Sequence, residues 1–451
     1  MPPPSLHKTI AAVATPPGEG GIAVIRISGK EALSIANRIF SGDILSFTSH
    51  TLHFGKILAG NEVIDEVLLA VMHCPKSYTG EDTVEIHCHG GSLITRRVLE
   101  TVLNAGAAPA GPGEFTYQAF MNGKLDLAQA EAVQTLIGAK NTLALKASSQ
   151  QLEGHLSKKV KGFQEDLLDI AAILEAWVDF PEEGLEFASK EEVIASLEKT
   201  HAKITALIAT FHEGKKIHEG LKLSLIGCPN SGKSSLMNAL LGEERAIVTH
   251  IPGTTRDLLE AELRLGGLHF QLTDTAGIRA TEELIEQEGI RRSKKAMQDA
   301  DIVLLLIDVS KALTEEEERL LASAPQNKTL IVWNKIDLPH ELPSSTHPFA
   351  PLSAKTGEGI DELKRALTTL VWNGNPPAKD EVILTNVRHK ESLSSAATDL
   401  SVLIEGLKTE ISPEFLSADM RSSLQNLASI IGMDISEEVL SSIFAKFCVG
   451  K

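Results

Sequence analysis

Residues 227–235 read Gly-Cys-Pro-Asn-Ser-Gly-Lys-Ser-Ser and follow directly on the apolar run Leu221–Ile226. This order predicts a strand, a glycine-rich turn and a helix. In such a loop, backbone N–H groups surround phosphate oxygens, the lysine reaches the outer phosphates and the next hydroxyl ligates magnesium. An ordinary glycine turn, the alternative, leaves the flanking strand and helix patterns unexplained. The segment predicts a nucleoside triphosphate site formed by Asn230, Ser231, Gly232, Lys233, Ser234 and Ser235, with Lys233 on the phosphates and Ser234 on the metal.

Three segments further along the chain predict the rest of a nucleotide site. Asp274-Thr275-Ala276-Gly277 follows an apolar run, so its carboxylate can hold the metal through water and its glycine N–H can reach the γ-phosphate. Asn334-Lys335-Ile336-Asp337 follows another such run, and its last carboxylate can accept two hydrogen bonds from guanine. Adenine lacks those donors, so the site would reject ATP. Ser353-Ala354-Lys355 would close the base pocket. The order and spacing of these motifs predict a GTPase domain.

The segment between the phosphate loop and Asp274 contains further candidates for metal binding. Thr255, in Gly253-Thr254-Thr255, is predicted to be the second magnesium ligand beside Ser234. A polar surface loop is the other interpretation, because threonine pairs are common in loops. The side-chain oxygen of Asn230, together with backbone carbonyls around Thr249–Thr254, would form a cage for a monovalent cation beside the phosphates.

The residue that orients the attacking water is not obvious from the sequence. Many small GTPases place a glutamine directly after the Asp-x-x-Gly motif, but this chain has Ile278 there, which cannot hydrogen-bond to water. Hydrolysis is therefore slow, or another side chain positions the water. Four acidic residues follow, and for most of them a solvated helix start is the better interpretation; they are Glu282, Glu283, Glu286 and Glu288.

Motifs outside the GTPase segment extend the pattern over nearly the whole chain. They include Thr15-Pro16-Pro17-Gly18-Glu19-Gly20-Gly21, Tyr78-Thr79-Gly80-Glu81-Asp82, Pro112-Gly113-Glu114-Phe115-Thr116, Asn122-Gly123-Lys124-Leu125-Asp126 and the terminal Phe447-Cys448-Val449-Gly450-Lys451. With these motifs the chain resembles the tRNA-modification GTPase family MnmE, also called TrmE. Ser231 and Val449 are small departures from the residues usual in that family.

The resemblance implies a GTP hydrolase that works with a flavin-dependent partner protein, which carries the FAD. Together they would add a carboxymethylaminomethyl-type group to C5 of the wobble uridine of certain tRNAs. It also implies a constitutive homodimer and an N-terminal domain that binds formyl-tetrahydrofolate through Arg26, Glu85, Lys124 and Lys451. The basic residues suit the carboxylates of a folate tail, and Glu85 suits the N–H donors of a pterin.

The same resemblance assigns roles to single residues near the phosphates and at the chain end. It maps a potassium site to Asn230, Thr249, Ile251 and Thr254, and the water-orienting carboxylate to Glu286. It maps the terminal cysteine to Cys448, which is either a nucleophile activated by nearby lysines or a small apolar residue.

Composition limits the partners that the chain can bind without help. It has 43 basic and 60 acidic residues, and its net charge is −17. Because phosphate contacts dominate nucleic-acid affinity, a tRNA role requires a local basic patch or a basic partner. The candidate patches are Lys158-Lys159-x-Lys161 and Arg291-Arg292-x-Lys294-Lys295. Apolar runs such as Ile302–Ile307 are too short to span a bilayer, and the four cysteines show no paired spacing, so we expect a cytoplasmic protein without a membrane role.

The chain is long enough for several domains, and the expected fold class is multidomain α/β plus all-α. Residues 1–122 predict a mixed α/β, folate-binding-like dimerisation domain, and residues 123–220 predict the first part of a helical domain. Residues 221–378 predict an inserted Ras-like P-loop GTPase domain. Residues 379–451 predict the second helical part and its Cys-Val-Gly-Lys tail.

Two competing functions stay open at this point. One is a GTP-dependent switch or assembly factor, for example for ribosomes, with no part in making the modified base. The other is a folate-dependent methyl or formyl transferase that the GTPase regulates. The terminal Cys-Val-Gly-Lys and the folate-like positions favour tRNA modification over the assembly factor.

Overall fold

The computed structural model describes residues 8–179, 189–243, 261–265, 267–273, 295–372, 374 and 381–451. The chain divides into two compact units. The first unit contains Met1–Ile137, Gln150–Ala202 and Glu391–Lys451. The second contains Gly138–Ser149 and Lys203–Lys390.

The strands belong to two sheets, one in each unit. In chain order they are β1 Ile10–Val13, β2 Ile22–Ser28, β3 Thr51–Ala59, β4 Glu62–Met72, β5 Thr83–His89, β6 Ala108–Pro109, β7 Leu221–Ile226, β8 Ala261–Leu265, β9 Leu268–Thr273, β10 Ile302–Asp308, β11 Thr329–Asn334 and β12 Phe349–Leu352.

The helices are numbered in the same way. They are α1 Ala32–Ile39, α2 Ser92–Asn104, α3 Glu114–Met121, α4 Leu127–Ile137, α5 Thr142–Leu152, α6 His155–Asp179, α7 Lys190–Ala209, α8 Phe211–Glu219, α9 Lys233–Glu243, α10 Glu315–Ser323, α11 Ile360–Val371, α12 Val387–Lys408, α13 Pro413–Ile431 and α14 Glu437–Phe444.

The sheet of the first unit has the order β3-β4-β5-β2-β1-β6, and its pairs are antiparallel except β1 with β6. Successive side chains alternate between its faces. Ile25, Ile27 and Leu69 lie in a buried core with residues of α1 and α2. On the opposite face, Phe54 and Leu68 are paired across β3 and β4 and are 71% and 41% exposed. This sheet therefore has one covered face and one partly apolar, uncovered face.

The helical part of the first unit is built on α6. Its buried residues recur at three- and four-residue spacing, which is the stripe of an amphipathic helix; they are Leu156, Val160, Phe163, Leu167, Ile170 and Leu174. Between α12 and α13, Asp399 accepts hydrogen bonds from Ser422 and Asn426, each at 2.8 Å. Apolar burial thus builds this part, and polar contacts fix the pairing of its helices.

The sheet of the second unit has the order β12-β11-β10-β7-β9-β8, and every pair is parallel except β8 with β9. β10 is buried on both faces, with Leu304 and Leu306 in one core and Val303 and Leu305 in the other. A continuous apolar strand is the pattern of a parallel sheet covered on both sides. The predicted fold class is confirmed: the molecule combines a mixed α/β part, a helical part and a P-loop GTPase fold.

The predicted domain boundaries at 122, 220 and 378 stay a prediction, because a compact unit is not a functional domain. Within the second unit, residues 203–220 precede the sheet in sequence and residues 381–390 follow it. Thr210 Oγ1 accepts a hydrogen bond from the Leu384 N–H at 3.1 Å, and the Lys390 ammonium lies 5.3 Å from the centre of the Phe211 ring. Residues 203–220 and residues 381–390 are therefore in contact with each other.

At Gly214, which is buried in α8, the backbones of these two segments approach closely. A Cβ at this position would overlap the carbonyl oxygen of Leu384. The obstacle is backbone, so it cannot rotate away as a side chain would. This close approach requires glycine although glycine is a poor helix former.

We predict that Gly214→Ala lowers the unfolding free energy of the second unit by about 1–3 kcal/mol through overpacking. Alanine at an ordinary helix position raises it by roughly 1 kcal/mol. Gly162→Ala in α6 is the matched control, because a Cβ there meets no atom within 4 Å. Calorimetric unfolding should show opposite shifts for the two variants, and a stabilised Gly214→Ala would contradict the packing.

Candidate functional site

The glycine-rich loop connects β7 to α9 in the second unit, as the sequence predicts. Two of its residues have left-handed backbone, Asn230 with φ 63° and Gly232 with φ 101°. The loop is closed by a hydrogen bond from the Ser231 N–H to the Cys228 carbonyl at 3.2 Å. A Cβ at Gly232 would overlap the side-chain amide of Asn334. The loop backbone is thus curved round the start of α9, where helical N–H groups favour an anion.

Lys233 reaches back over this loop. Its ammonium donates to the carbonyls of Gly227 at 2.7 Å and Cys228 at 2.9 Å. Burial lowers the pKa of Lys233, and the Glu316 carboxylate acts in the opposite direction. Burial, with Glu316 and Glu317, raises the pKa of the Cys228 thiol to about 12, so this thiol is protonated and unreactive at neutral pH.

Asn334 joins the phosphate loop to the predicted base-binding segments. Its side-chain nitrogen donates to the Ser231 carbonyl at 2.8 Å, and its side-chain oxygen accepts from the Ala354 N–H at 3.0 Å. The residue is 1% exposed. A buried amide that satisfies both neighbours fixes their separation, because loss of either partner leaves a buried polar group without a hydrogen bond.

The other predicted base-binding residues lie beside Asn334. Asp337 and Lys355 are exposed, whereas Ser353 is fully buried and its Oγ accepts a hydrogen bond from the Thr356 N–H at 3.2 Å. The Lys335 ammonium contacts the Asp308 carboxylate at 2.5 Å. The structure brings these residues to the same edge of the sheet as the phosphate loop.

Asp308 was not among the residues predicted from the sequence. Burial acts to raise its pKa, but hydrogen bonds from Lys335 and Ser310 outweigh burial, and the net pKa lies below the ordinary value for aspartate. The residue is therefore ionised at neutral pH. A signal was present in the sequence, since Asp308 ends the apolar run of β10, at the strand end where such sites form.

Ser234 and Ser235 occupy the first turn of α9 with exposed side chains. A hydroxyl at this place suits a magnesium ion that a bound phosphate also contacts. The remaining predicted nucleotide and metal residues lie outside the described part of the chain; they are Thr249, Ile251, Thr254, Thr255, Asp274, Thr275, Ala276, Gly277 and Glu286.

A second group of predicted residues lies in the first unit, on the uncovered face of its sheet. Arg26 is paired with Glu85 at 2.8 Å across β2 and β5. Its guanidinium carbon lies 5.6 Å from the centre of the Tyr78 ring and 5.5 Å from that of Phe115. Two aromatic faces and one carboxylate thus orient a half-buried cation. Arg26 and Glu85 were predicted from the sequence, but the two rings were not.

Lys124 is anchored to the segment that contains Tyr78. Its ammonium donates to the Pro75 carbonyl at 3.2 Å. Asn122 donates to the Thr79 carbonyl at 2.8 Å, which ties the two loops together. Lys124 is therefore held against the segment that contains Tyr78, and its role in binding a folate stays a prediction.

The chain end returns to the same unit. Phe447 is 5% exposed and packs against Phe444, and the Lys446 carbonyl accepts a hydrogen bond from Gln134 at 2.9 Å. Val449 forms a strand-like bridge with Pro112, and the Cys448 carbonyl accepts from the Gly113 N–H at 3.2 Å.

This anchoring sets the surroundings of the two predicted terminal residues. Gly450 lies against Val13, the residue after Ala12, and Ala12 is the register partner of Arg26. The exposed Cys448 and the half-buried Lys451 thus flank the two residues that contact Pro112 and Val13.

Known proteins resemble both units. A family model described as the MnmE helical domain matches residues 127–448, and one described as the N-terminus of GTP-binding protein TrmE matches residues 9–124. A Protochlamydia amoebophila protein named tRNA modification GTPase MnmE is 59% identical over 447 residues, covering 98% of each chain. A Moorella thermoacetica protein of the same name is 44% identical over 463 residues, covering 99% of this chain and all of the relative.

A solved structure, the G domain of the T. maritima FeoB iron transporter, is 27% identical to this chain. It covers 33% of this chain and 98% of its own, with a TM-score of 0.26.

We predict that Asn334→Ala abolishes measurable guanine-nucleotide binding and destabilises the second unit. Both the Ser231 carbonyl and the Ala354 N–H lose a buried partner, and each unsatisfied group costs about 1–3 kcal/mol. Binding is measured by calorimetric titration with GDP and GTP, and stability by thermal unfolding.

The matched control for this variant is Thr329→Val at the other end of β11. The buried Thr329 hydroxyl has no hydrogen-bond partner among the described residues, so its removal should leave both binding and stability unchanged. Normal nucleotide binding by Asn334→Ala would show that the two loops do not depend on this amide.

Proposed function

The chain belongs to the MnmE family of tRNA modification GTPases, and from this membership we propose that it hydrolyses GTP as one component in building a carboxymethylaminomethyl-type group at C5 of a tRNA wobble uridine. GTP binding is supported above all by the Asn334 amide, which joins the phosphate loop to the loop that precedes Lys355. A phosphate loop held in register with a base-binding segment suits a nucleoside triphosphate.

GTP binds with its phosphates in the loop of residues 227–234 and its base between Lys335 and the Ser353–Lys355 segment. Asp337 is exposed and accepts the guanine N–H donors, which adenine lacks. Lys233 leaves its carbonyl partners and contacts the outer phosphates, and Ser234 ligates Mg²⁺, with Thr255 as the proposed second ligand. Ala354, the residue before the exposed Lys355, donates its N–H to Asn334.

Charge on the phosphates is offset by K⁺ at Asn230, Thr249, Ile251 and Thr254, and Glu286 orients the attacking water. The potassium site is supported by Asn230, which has a left-handed backbone and an exposed side chain. The role of Glu286 is supported by Ile278, which occupies the position where many small GTPases have the water-orienting glutamine. Equal GTP turnover in potassium and sodium salts would exclude the potassium site.

The uncovered face at Arg26 binds formyl-tetrahydrofolate. One oxygen of Glu85 holds Arg26, and the other lies 3.7 Å from His87 Nε2, a buried nitrogen without a hydrogen-bond partner among the described residues. A pterin ring supplies donors and acceptors for such a site, and Lys124 and Lys451 pair with the folate carboxylates. A folate bound there would supply a one-carbon unit. Cys448 is the proposed nucleophile.

The protein forms a homodimer through the uncovered sheet face of the first unit. Ile22, Leu52 and Phe54 are 66%, 53% and 71% exposed on this face. Clustered apolar side chains on a sheet mark an interaction surface. A second copy of the chain is the proposed occupant, and analytical ultracentrifugation of Phe54→Asp should show a shift towards monomer.

The remaining proposed partners are tRNA and a flavin-dependent modification protein that carries FAD. The exposed Lys158, Lys159 and Lys161 on α6 offer one basic patch for the tRNA, while the net charge of −17 makes a basic partner necessary for tight binding. None of the described helices is both long and apolar enough to cross a lipid bilayer. The proposed location is the cytoplasm.

We predict that the chain restores modified wobble uridines in a bacterial strain from which the host relative has been deleted. Mass spectrometry of tRNA nucleosides measures the modification. Cys448→Ser should fail to restore it, whereas Cys74→Ser should succeed, since both thiols are exposed but only Cys448 is proposed as the nucleophile.

Two results would contradict the proposal in different ways. Unaltered wobble uridines in the deletion strain would favour an assembly factor. A regulated transferase would be favoured by two results together. Cys448→Ser would fully restore the modified uridines, and the deletion strain would lose folate-dependent formyl transfer.

A further inference from the structure

Lys335 is constrained at both ends of its side chain. Its backbone has φ 71°, in the left-handed region that is strained for a non-glycine residue. Its ammonium contacts the Asp308 carboxylate at 2.5 Å, and the side chain is only 30% exposed. A residue keeps such a backbone only when its surroundings determine it. The contact with Asp308 is therefore part of what fixes this segment.

Asp308 is itself held rigidly. One carboxylate oxygen accepts from Lys335, and the other accepts from the N–H of Ser310 at 3.1 Å and from its hydroxyl at 2.6 Å. The side chain is 11% exposed. Because both carboxylate oxygens accept hydrogen bonds, the carboxylate cannot turn towards solvent. It therefore holds the Lys335 ammonium in one position.

The position of Asp308 relates it to the nucleotide site. It is the register partner of Asn334 at the carboxyl ends of β10 and β11, and the Val309 N–H donates to the Asn334 carbonyl at 3.1 Å. Ligands of parallel α/β sheets bind at this edge. Asp308 thus lies one strand away from the residue that joins the two loops.

A lysine held at its ammonium and at its backbone presents its methylene stem as a fixed apolar surface. A flat purine gains most from such a surface when the surface is ordered before binding, since less side-chain entropy is lost on association. The same constraint limits the backbone that leads to Asp337, two residues further on.

We propose that Asp308 is a positioning residue for the guanine base. By holding the Lys335 ammonium, it orders the Lys335–Asp337 segment so that the base binds against the Lys335 stem and meets the Asp337 carboxylate. The inference rests on the proposed function, since it requires the unmodified protein to bind guanine nucleotides. Asp308 acts through Lys335 on the base and not on the phosphates, so it affects binding of GDP and GTP alike.

The test is Asp308→Asn in the full chain. Asparagine keeps an oxygen for Ser310 but removes the charge that holds Lys335. The Kd values of GDP and GTP, measured by calorimetric titration, should both rise about tenfold. The rate of GTP turnover at saturating GTP should stay unchanged, because an interaction equal in ground and transition states affects KM and not kcat.

A coupling measurement separates positioning from a general structural role. In the Lys335→Met background, Asp308→Asn should produce no further rise in Kd, because the group through which Asp308 acts is already absent. Ser310→Ala, which removes only one contact to the carboxylate, should raise both Kd values about two- to threefold and gives the same test if Asp308→Asn fails to fold.

Asp301→Asn is the matched control at the opposite end of β10, where the carboxylate accepts from the Lys222 N–H at 2.9 Å. It should leave both Kd values unchanged. Unchanged Kd values in Asp308→Asn and Ser310→Ala, or a full further loss in the Lys335→Met background, would overturn the inference. An unmodified protein that binds neither GDP nor GTP would overturn the proposed function itself.

Discussion

The nucleotide site depends on the buried amide of Asn334. One side chain donates to the phosphate loop and accepts from the segment that bounds the base pocket, so the two ends of the ligand are recognised at a fixed spacing. The Asn334 amide also constrains the phosphate loop, because a Cβ at Gly232 would overlap this amide. The strands supply the framework for this contact: β7, β10 and β11 are neighbours in the sheet and end at the same edge.

The first unit holds a charged group on a partly apolar sheet face. Arg26 is stabilised by two aromatic rings and by Glu85. The last residues of the chain are anchored in the same unit through Phe447, Gln134 and Gly113. Membership of the MnmE family, which the matched relatives establish, gives both sites a common biological context.

Sequence reasoning was most reliable where a motif has one physical solution. The strand, turn and helix at residues 221–235 and the placement of Asn334 follow from local patterns, and the fold class followed from resemblance and from the switch between strand and helix periodicity. The contacts of Asp308, Tyr78 and Phe115 could not be predicted in the same way. They are long-range pairings between ordinary residue types, and only the tertiary fold brings them together. The same reason applies to Gly214. From the sequence it is only a poor helix former, and the requirement for glycine follows from the Leu384 carbonyl that lies against it.

We infer that the described phosphate and base loops form one pocket for a guanine nucleoside triphosphate. A calorimetric titration of the purified full chain with GTP and with ATP, at equal Mg²⁺ and salt, tests this most directly. We expect saturable binding of GTP and binding of ATP at least about a hundredfold weaker, because Asp337 would be left without its hydrogen-bond donors. Equal affinity for the two nucleotides would contradict it.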